Sequence, residues 1–407
     1  MRFCMVTTFY PPFHFGGDGT YVRELSRGLV ELGHEVEVIH CEDAYSIVAN
    51  KPPVHVESPE AGIRVHRLKS RLGPLSPIIT QQIGRPGLKR SRLRKLLDRD
   101  FEVVHFHNIS LVGGPAVLRM SNAPVTLYTL HEHWLLCPMH IFWKNREKAC
   151  DKRECFRCSI RSGVPPQLWR YTRLVRDSLS HVDELLAPSE YTAHRHSDLG
   201  VSTPISVLPL FARVEPGPIE DFAAPARARF LYVGRITVSK GIEGLVRSFA
   251  ELPELELIVA GDGEMLDSLR QTYGDRRNIS FLGSIENSAL FELYRSATAV
   301  VLPSLAPETF GLTVVEGFAY GTPAVVRNAG GCKESVQSTG GGIVCETENE
   351  MIGALRRLAA EPDLREQLSR NARAGYERYY TRAHHLSRYL DKVSEIRTRS
   401  GTGRKSG

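Results

Sequence analysis

The chain's 407 residues are 42% hydrophobic and 24% charged, which excludes a disordered chain and leaves enough apolar mass for two domain cores. Its formal charge of +6 is a mild surplus, suited to anionic substrates or a membrane surface, and does not by itself imply nucleic acid. No run approaches the roughly 18–20 apolar residues of a membrane span, and Met1 leads into strand-like residues without a signal-peptide pattern, so a cytoplasmic protein is expected, at most peripheral on the inner face of a membrane.

In chain order, the first half opens with a strand over Arg2–Thr8 and a Gly/Pro-rich loop. A helix follows with Val22, Leu25, Leu29 and Leu32 on one face, stopped at Gly33. Further strands are expected at Glu35–His40, Ile63–Leu68, Val103–His107, Val125–Leu130 and Glu184–Ala187. Such alternation predicts a mostly parallel sheet with helices on both faces. Residues 213–228, rich in Pro, Ala and Glu and without periodicity, read as a linker, which makes 1–212 the N-terminal domain.

The alternation then restarts. Strand Phe230–Val233 leads to helix Gly241–Leu252, and strands Leu255–Ala260, Ile279–Leu282 and Ala299–Pro303 follow. A helix around Val314–Tyr320 precedes strand Ala324–Val326. Residues 229–380 make the C-terminal domain, a helix occupies 381–398, and the Gly/Ser- and Arg-containing tail 399–407 is expected to be disordered. The fold class is therefore α/β, with two Rossmann-like domains facing across a cleft. Ligands of such open sheets bind at the carboxyl ends of the strands.

The residues with chemistry concentrate in the second half. Gly234-Arg235 follows a strand, and Lys240-Gly241 opens the next helix. A glycine turn before a helix N-terminus presents free N–H groups to an anion, Arg235 adds a planar fork and Lys240 a point charge, together suiting a diphosphate. The plainer reading is a βα turn carrying surface cations. Downstream, Glu308-Thr309-Phe310-Gly311-Leu312-Thr313-Val314-Val315-Glu316 runs from a loop into a helix. Two carboxylates eight residues apart can bracket a ligand at that helix start, one accepting sugar hydroxyls and the other a ribose diol, with the amides of Phe310 to Thr313 meeting phosphate. The plainer alternative makes Glu308 a helix cap and leaves Glu316 solvated.

The run from Gly234 to Gly241, followed by Glu308 to Glu316, resembles the retaining GT-B glycosyltransferases of family 4 (glycosyl transferases group 1). Ala260-Gly261-Asp262-Gly263, Phe281-Leu282-Gly283 and Gly317-Phe318-Ala319-Tyr320-Gly321-Thr322-Pro323 support it, and the resemblance covers nearly the whole chain. It implies that Arg235 and Lys240 hold the donor diphosphate, that Glu308 contacts the donor sugar and Glu316 the ribose. It also implies that the loop at Gly283 approaches the nucleobase. Gly16-Gly17 resembles the family's glycine loop near phosphate and acceptor, and His131, ending a strand, matches its active-site histidine; otherwise a structural histidine is the simpler account. The final helix, about Arg382–Ile396, would cross back to the N-terminal domain.

The implied reaction moves a hexose-type sugar from a nucleotide-diphosphate sugar to an acceptor hydroxyl with retention, in cell-surface polysaccharide or glycolipid synthesis. His131, Glu308, Arg235 and Lys240 are the expected catalytic set, the cations stabilising charge on the departing diphosphate. A lipid-linked or polysaccharide acceptor is expected, and no nucleic acid. The scheme needs no catalytic metal, and Asp98-Arg99-Asp100, ending a basic segment, is not a metal motif of the usual strand-following kind. Competing readings are a nucleotide-sugar epimerase of the same fold and a non-catalytic sugar-nucleotide-binding partner of a membrane assembly. A dehydrogenase is excluded by the lack of Gly-x-Gly-x-x-Gly after the first strand of either half.

Two further segments stand apart. Cys137, Cys150, Cys155 and Cys158 lie in a polar insert, about 137–158, and can form a tetrahedral structural Zn(2+) site, remain thiols, or pair as disulfides. The basic run Arg85–Arg99 interleaves Leu88, Leu93, Leu96 and Leu97, compatible either with a helix lying on an anionic membrane surface or with a solvated helix face.

Overall fold

The computed structural model describes residues 1–14, 16–49, 60–212, 227–285 and 287–403. All but the last two residues of the expected linker, and residues 404–407 of the expected tail, lie outside that set. The chain divides into two compact units: Met1–His140, Arg153–Leu208 and the chain from Arg382 form one, Ile141–Lys152 and Pro209–Thr381 the other.

The first half carries β1 (Arg2–Val6), β2 (Glu35–Cys41), β3 (Ile63–Leu68), β4 (Val103–Phe106), β5 (Val125–Thr129), a small hairpin of β6 (Trp143–Lys144) and β7 (Lys148–Ala149), then β8 (Glu184–Ala187) and β9 (Ile205–Val207). Seven of them form one parallel sheet in the order β3-β2-β1-β4-β5-β8-β9. Phe3 to Val6 are fully buried, as expected of a central parallel strand covered on both faces. The helix Gly16–Glu31 buries Val22, Leu25 and Leu29 against this sheet. Gly33, at φ +81°, ends it, and the His34 amide reaches back 3.0 Å to the Leu29 carbonyl. Leu32, expected on the buried face, lies beyond the helix end and is exposed.

The second half carries β10 (Arg229–Val233), β11 (Glu256–Ala260), β12 (Ile279–Gly283), β13 (Ala299–Leu302), β14 (Ala324–Arg327) and β15 (Gly342–Cys345). They form a parallel sheet in the order β12-β11-β10-β13-β14-β15. In both sheets the strand order reverses beside the first strand, the topological switch point where open α/β sheets bind ligands. Phe230, Val259 and Val301 from the strands join Ile242, Val246 and Phe249 of the helix Ile242–Ala250 in one apolar core.

The C-terminal helix, Arg382–Gly403, belongs to the first unit and continues through residues 399–403, which were expected to be disordered. Leu386, Tyr389, Val393 and Ile396, spaced three or four apart, are buried along one face. Lys392 and Arg399 reach the buried Glu184 at 3.2 and 2.6 Å, and Arg382 pairs with Glu31 at 2.8 Å.

The basic run forms a 3-10 turn, Gly87–Lys89, and a helix, Arg90–Leu97. Of the four leucines in this run, Leu93 and Leu97 are buried in the core of the unit, Leu96 is half-buried and Leu88 is exposed. Among the described residues, no helix is long and apolar enough to cross a membrane.

Candidate active site

In the second unit, two loops leave the carboxyl ends of β10 and β13, the strands flanking the switch point. The first turns at Gly234, passes exposed Arg235, and makes a 3-10 turn over Val238–Lys240 before Gly241 starts the helix Ile242–Ala250. Gly241 has φ +67°, and a Cβ there would stand 2.2 Å from the Pro303 carbonyl oxygen. Only glycine lets this turn close against the end of β13. Ser239 completes the junction, its carbonyl accepting the amides of Leu305 and Ala306 at 2.9 Å each.

Glu308 is anchored from both sides. Its amide donates to Ala329 and its carbonyl accepts from Gly331, at 2.9 and 2.7 Å. Its carboxylate takes the Lys240 ammonium at 2.6 Å and the Ser304 hydroxyl. Burial alone would raise its pKa; Lys240, Ser304 and Arg235 outweigh burial and hold it below the usual glutamate range. The cap reading of Glu308 is therefore replaced: its side chain is committed to a lysine and a serine. The helix Leu312–Ala319 begins behind it at Gly311, φ +97°, which contributes no side-chain cap, so first-turn amides are left for a ligand. Phe310 is buried beside that start, and Leu312 and Thr313 form its first turn.

Glu316, one turn into the helix, is wholly buried rather than solvated, and accepts a hydrogen bond from the Tyr294 hydroxyl at 2.7 Å. Tyr294 stacks on Tyr320, with centroids 6.3 Å apart. Gly283, φ +72°, closes β12, and its carbonyl accepts the Gly261 amide at 2.8 Å.

Gly16, Gly17 and His131 belong to the first unit. Gly16 and Gly17 are the first residues of the helix Gly16–Glu31. His131 follows β5, and His107, just past β4, meets it at 3.0 Å between Nδ1 of His107 and Nε2 of His131. The Tyr21 ring packs edge-on to His131 at 5.0 Å, and its hydroxyl lies 2.8 Å from His385 of the C-terminal helix. Burial, reinforced by His385, pushes the His131 pKa down to about 3, so the imidazole is neutral.

The sequence reading missed several partners: Ser304 and Ser239 around Glu308, Tyr294 under Glu316, and His107 beside His131. The His-x-His at the end of β4 was the available signal for the last. It also missed Asp18, in the first helical turn after Gly16-Gly17. Burial, then the nearby Glu132 carboxylate, raises the Asp18 pKa to about 6. Its carboxylate accepts the Gly19 amide at 2.8 Å and the Asn108 side chain at 3.3 Å.

The four cysteines of the insert lie on different elements. Cys155 and Cys158 lie on the short helix Cys155–Arg161, Cys137 is buried in the loop after β5, and Cys150 falls in the second unit. Among the described residues, no group of three or more His, Cys, Asp or Glu is placed to hold a metal ion, and none of the eight cysteines forms a disulfide.

The family profile described as Glycosyltransferase Family 4 matches residues 15–215, and that of Glycosyl transferases group 1 matches residues 221–375. A glycosyltransferase of Methanocaldococcus jannaschii, itself uncharacterised, is 26% identical over 401 residues, covering 93% of this chain and 94% of its own. The glycogen synthase of Mycobacterium tuberculosis is 28% identical over 396 residues, covering 92% and 89%. Among solved structures, sucrose-phosphate synthase from Thermosynechococcus elongatus superposes with a TM-score of 0.71 at 20% identity, over 97% of this chain and 98% of that one. Anabaena HepE, crystallised with UDP, gives 0.67 at 15% identity, over 97% and 100%. Two successive profiles, full-length relatives and two Rossmann-like halves agree: the chain belongs to the group 1 glycosyltransferases and has the GT-B fold.

Proposed function

We propose that this glycosyltransferase takes a hexose-type sugar from a nucleotide-diphosphate sugar and passes it, with retention of configuration, to a hydroxyl of a lipid-linked or polysaccharide precursor. The observation that carries the reading is the ionised Glu308, paired with Lys240 beside an uncapped helix start at the switch point. A donor entering there gives each charge a new partner: Lys240 and Arg235 take the diphosphate with the amides of Phe310 to Thr313, and Glu308 accepts sugar hydroxyls. Glu316 reaches the ribose diol, and the Gly283 loop the base. Anabaena HepE has been crystallised with UDP and with UDP-glucose, which supports a uridine nucleotide as the first donor to try.

As the glycosidic bond lengthens, negative charge grows on the leaving diphosphate, where Arg235, Lys240 and the helix amides stabilise it. A neutral His131 supplies a polar contact to the sugar without repelling positive charge that develops there. The acceptor proton passes to the departing phosphate on the same face. A cell-surface product fits with WaaG, a structural neighbour involved in lipopolysaccharide biosynthesis, at a TM-score of 0.62.

Thermal shift against a panel of nucleotide sugars tests the donor step, since a ligand at 100 times its Kd stabilises the fold by about 2.7 kcal/mol. Nucleoside diphosphate release that depends on an added lipid-linked or polysaccharide acceptor is the expected outcome. Interconversion of a nucleotide sugar with its epimer, without acceptor, would replace the transferase reading by the epimerase one.

A further inference from the structure

Three histidine rings pack side by side in the first unit, from the end of β4 to the residue beyond β5 that carries His131. His105, wholly buried, is held at both ring nitrogens: Nδ1 lies 3.1 Å from the Tyr389 hydroxyl and Nε2 2.8 Å from the Thr129 hydroxyl. His107 lies against it with ring centroids 4.0 Å apart, and the His131 ring follows at 5.3 Å from His107. Pinned by a hydroxyl at either end, His105 leaves the His107 ring little room to turn. Its orientation is therefore set by β4 and the C-terminal helix, not by a ligand.

The contact from His107 to His131 joins nitrogen to nitrogen, Nδ1 to Nε2, at 3.0 Å. Burial holds both rings neutral, so one of these nitrogens carries a proton and donates while the other accepts. The remaining nitrogen of His107 decides the direction. His107 is wholly buried, and its Nε2 has no hydrogen-bond partner among the described residues. If His131 were the donor, the His107 proton would have to sit on Nε2, an N–H buried with nothing to receive it. Such orphaned donors are rare, because they lose their hydration without return. With its proton on Nδ1, His107 leaves only a lone pair unmet at Nε2, which folded proteins tolerate better.

We infer that His107 is a positioning residue for His131: it donates from Nδ1 to His131 Nε2, fixes that ring, and keeps the His131 proton on Nδ1. Any atom of the donor sugar that reaches Nδ1 then meets an N–H, so His131 serves as a hydrogen-bond donor and not as a base. This rests on the placement of His131 beside the sugar proposed above, and adds to it the tautomer and the residue that sets it. It agrees with a scheme in which the acceptor proton goes to the departing phosphate, since a protonated Nδ1 has no lone pair to receive it.

Long-range proton–nitrogen NMR correlations on the full-length, donor-free protein, labelled at histidine with heavy nitrogen, read both tautomers directly. Signals are assigned by their loss in His107→Asn and His131→Asn. The expected result is that His107 and His131 are each protonated at Nδ1 and bare at Nε2; protonation of His131 at Nε2 would overturn the inference. His107→Phe keeps a ring and removes the donor, so the His131 signals should shift towards a mixture of tautomers and kcat should fall about tenfold, the loss of roughly one hydrogen bond. Its melting temperature should not drop, because the unmet Nε2 is removed as well. His107→Asn places an amide where Nδ1 stood and should recover the His131 tautomer and most of the rate. Unmoved His131 signals in His107→Phe, or equal loss of rate and stability in both variants, would mark His107 as a packing residue only. Those results would leave the transferase reading intact, whereas that reading fails on its own test, acceptor-dependent release of nucleoside diphosphate by the parent protein.

Discussion

The Lys240 ammonium and the Glu308 carboxylate, 68 residues apart in sequence, stand 2.6 Å from each other at the ends of β10 and β13. Neither charge is left bare in the donor-free protein, and each is released to a stronger partner when an anionic, hydroxyl-rich ligand enters. Lys240→Ala should therefore lose charge-assisted hydrogen bonds worth about 1.5–3 kcal/mol, roughly a ten- to hundredfold loss of nucleoside diphosphate affinity. It also strands Glu308, so stability falls as well. Combining it with Glu308→Gln should restore much of that stability, because the uncompensated charge is gone. Titration calorimetry with nucleoside diphosphates and thermal melts of the two single variants and the double variant check this. Strictly additive losses in stability would show that the pair is not coupled.

Arg235→Ala should behave differently. Arg235 is exposed and its carbonyl, not its guanidinium, takes the Tyr232 hydroxyl at 2.6 Å, so the turn survives the truncation. Donor affinity and transfer should drop while the melting temperature stays within about one degree of the parent, as expected of a surface change. Undiminished transfer would remove Arg235 from the donor site.

The first unit buries several histidines in neutral form. Burial pushes His40 and His131 to about 3, and His105 and His107 well below the ordinary value. A base whose pKa is depressed in the fold takes its proton only on unfolding, so its stability contribution is complete above pH 6.5 and is lost as pH falls toward 3. Each such group removes up to about 1.4 kcal/mol per pH unit over that window. Asp18 works in the other direction, since its raised pKa makes folding favour the protonated acid below about pH 6. One carboxyl does not offset four imidazoles. The melting temperature should hold above pH 6.5 and fall steeply from pH 6 to 4, and a flat profile would show that the histidines take up protons in the folded state.

Asp18 itself offers a sharper test. A carboxyl with a pKa of about 6, next to the glycine pair that opens the first helix, can when ionised orient an acceptor hydroxyl whose proton goes to the departing phosphate. If it does, transfer should rise through pH 6 in the parent and lose that limb in Asp18→Asn, measured as kcat/KM against pH. A uniform decrease at every pH would instead mark Asp18 as a partner of Asn108 with a structural role only.

Much of this was legible in the sequence because parallel strands buried on both faces are continuous apolar runs. Ile63–Leu68 and Glu184–Ala187 came out as read, and most other boundaries moved by one or two residues. The moved residues matter: His107, Leu130 and Pro303 lie past the strand ends, in the loops that build sites. The edge strands β9 and β15 are short and flanked by Gly or Pro, so they carry too little pattern to read. Long-range pairing was equally invisible. Nothing local distinguishes Glu316 buried under Tyr294 from a solvated glutamate; that depends on which face the rest of the fold covers.

Two glycines with the same backbone conformation separate fold from function. Gly16 has φ +68° and Gly241 φ +67°, so alanine at either position meets the same left-handed strain, about 1–2 kcal/mol. Their surroundings differ. A Cβ at Gly16 meets no atom of the described residues within 4 Å, whereas at Gly241 it would stand 2.2 Å from the Pro303 carbonyl oxygen, backbone that cannot step aside without moving the end of β13. Gly241→Ala should add about 1–3 kcal/mol of overpacking and displace Lys240, its neighbour, from Glu308. Stability and donor binding should then fall together. Gly16→Ala should cost only the conformational strain and leave nucleoside diphosphate affinity nearly intact. If the glycine pair serves the acceptor side, its effect should appear as a slower transfer step at saturating donor. Equal destabilisation by the two variants in thermal melts would mean that the close approach of Gly241 to Pro303 relaxes freely, and the rigidity assigned to this junction would have to be given up.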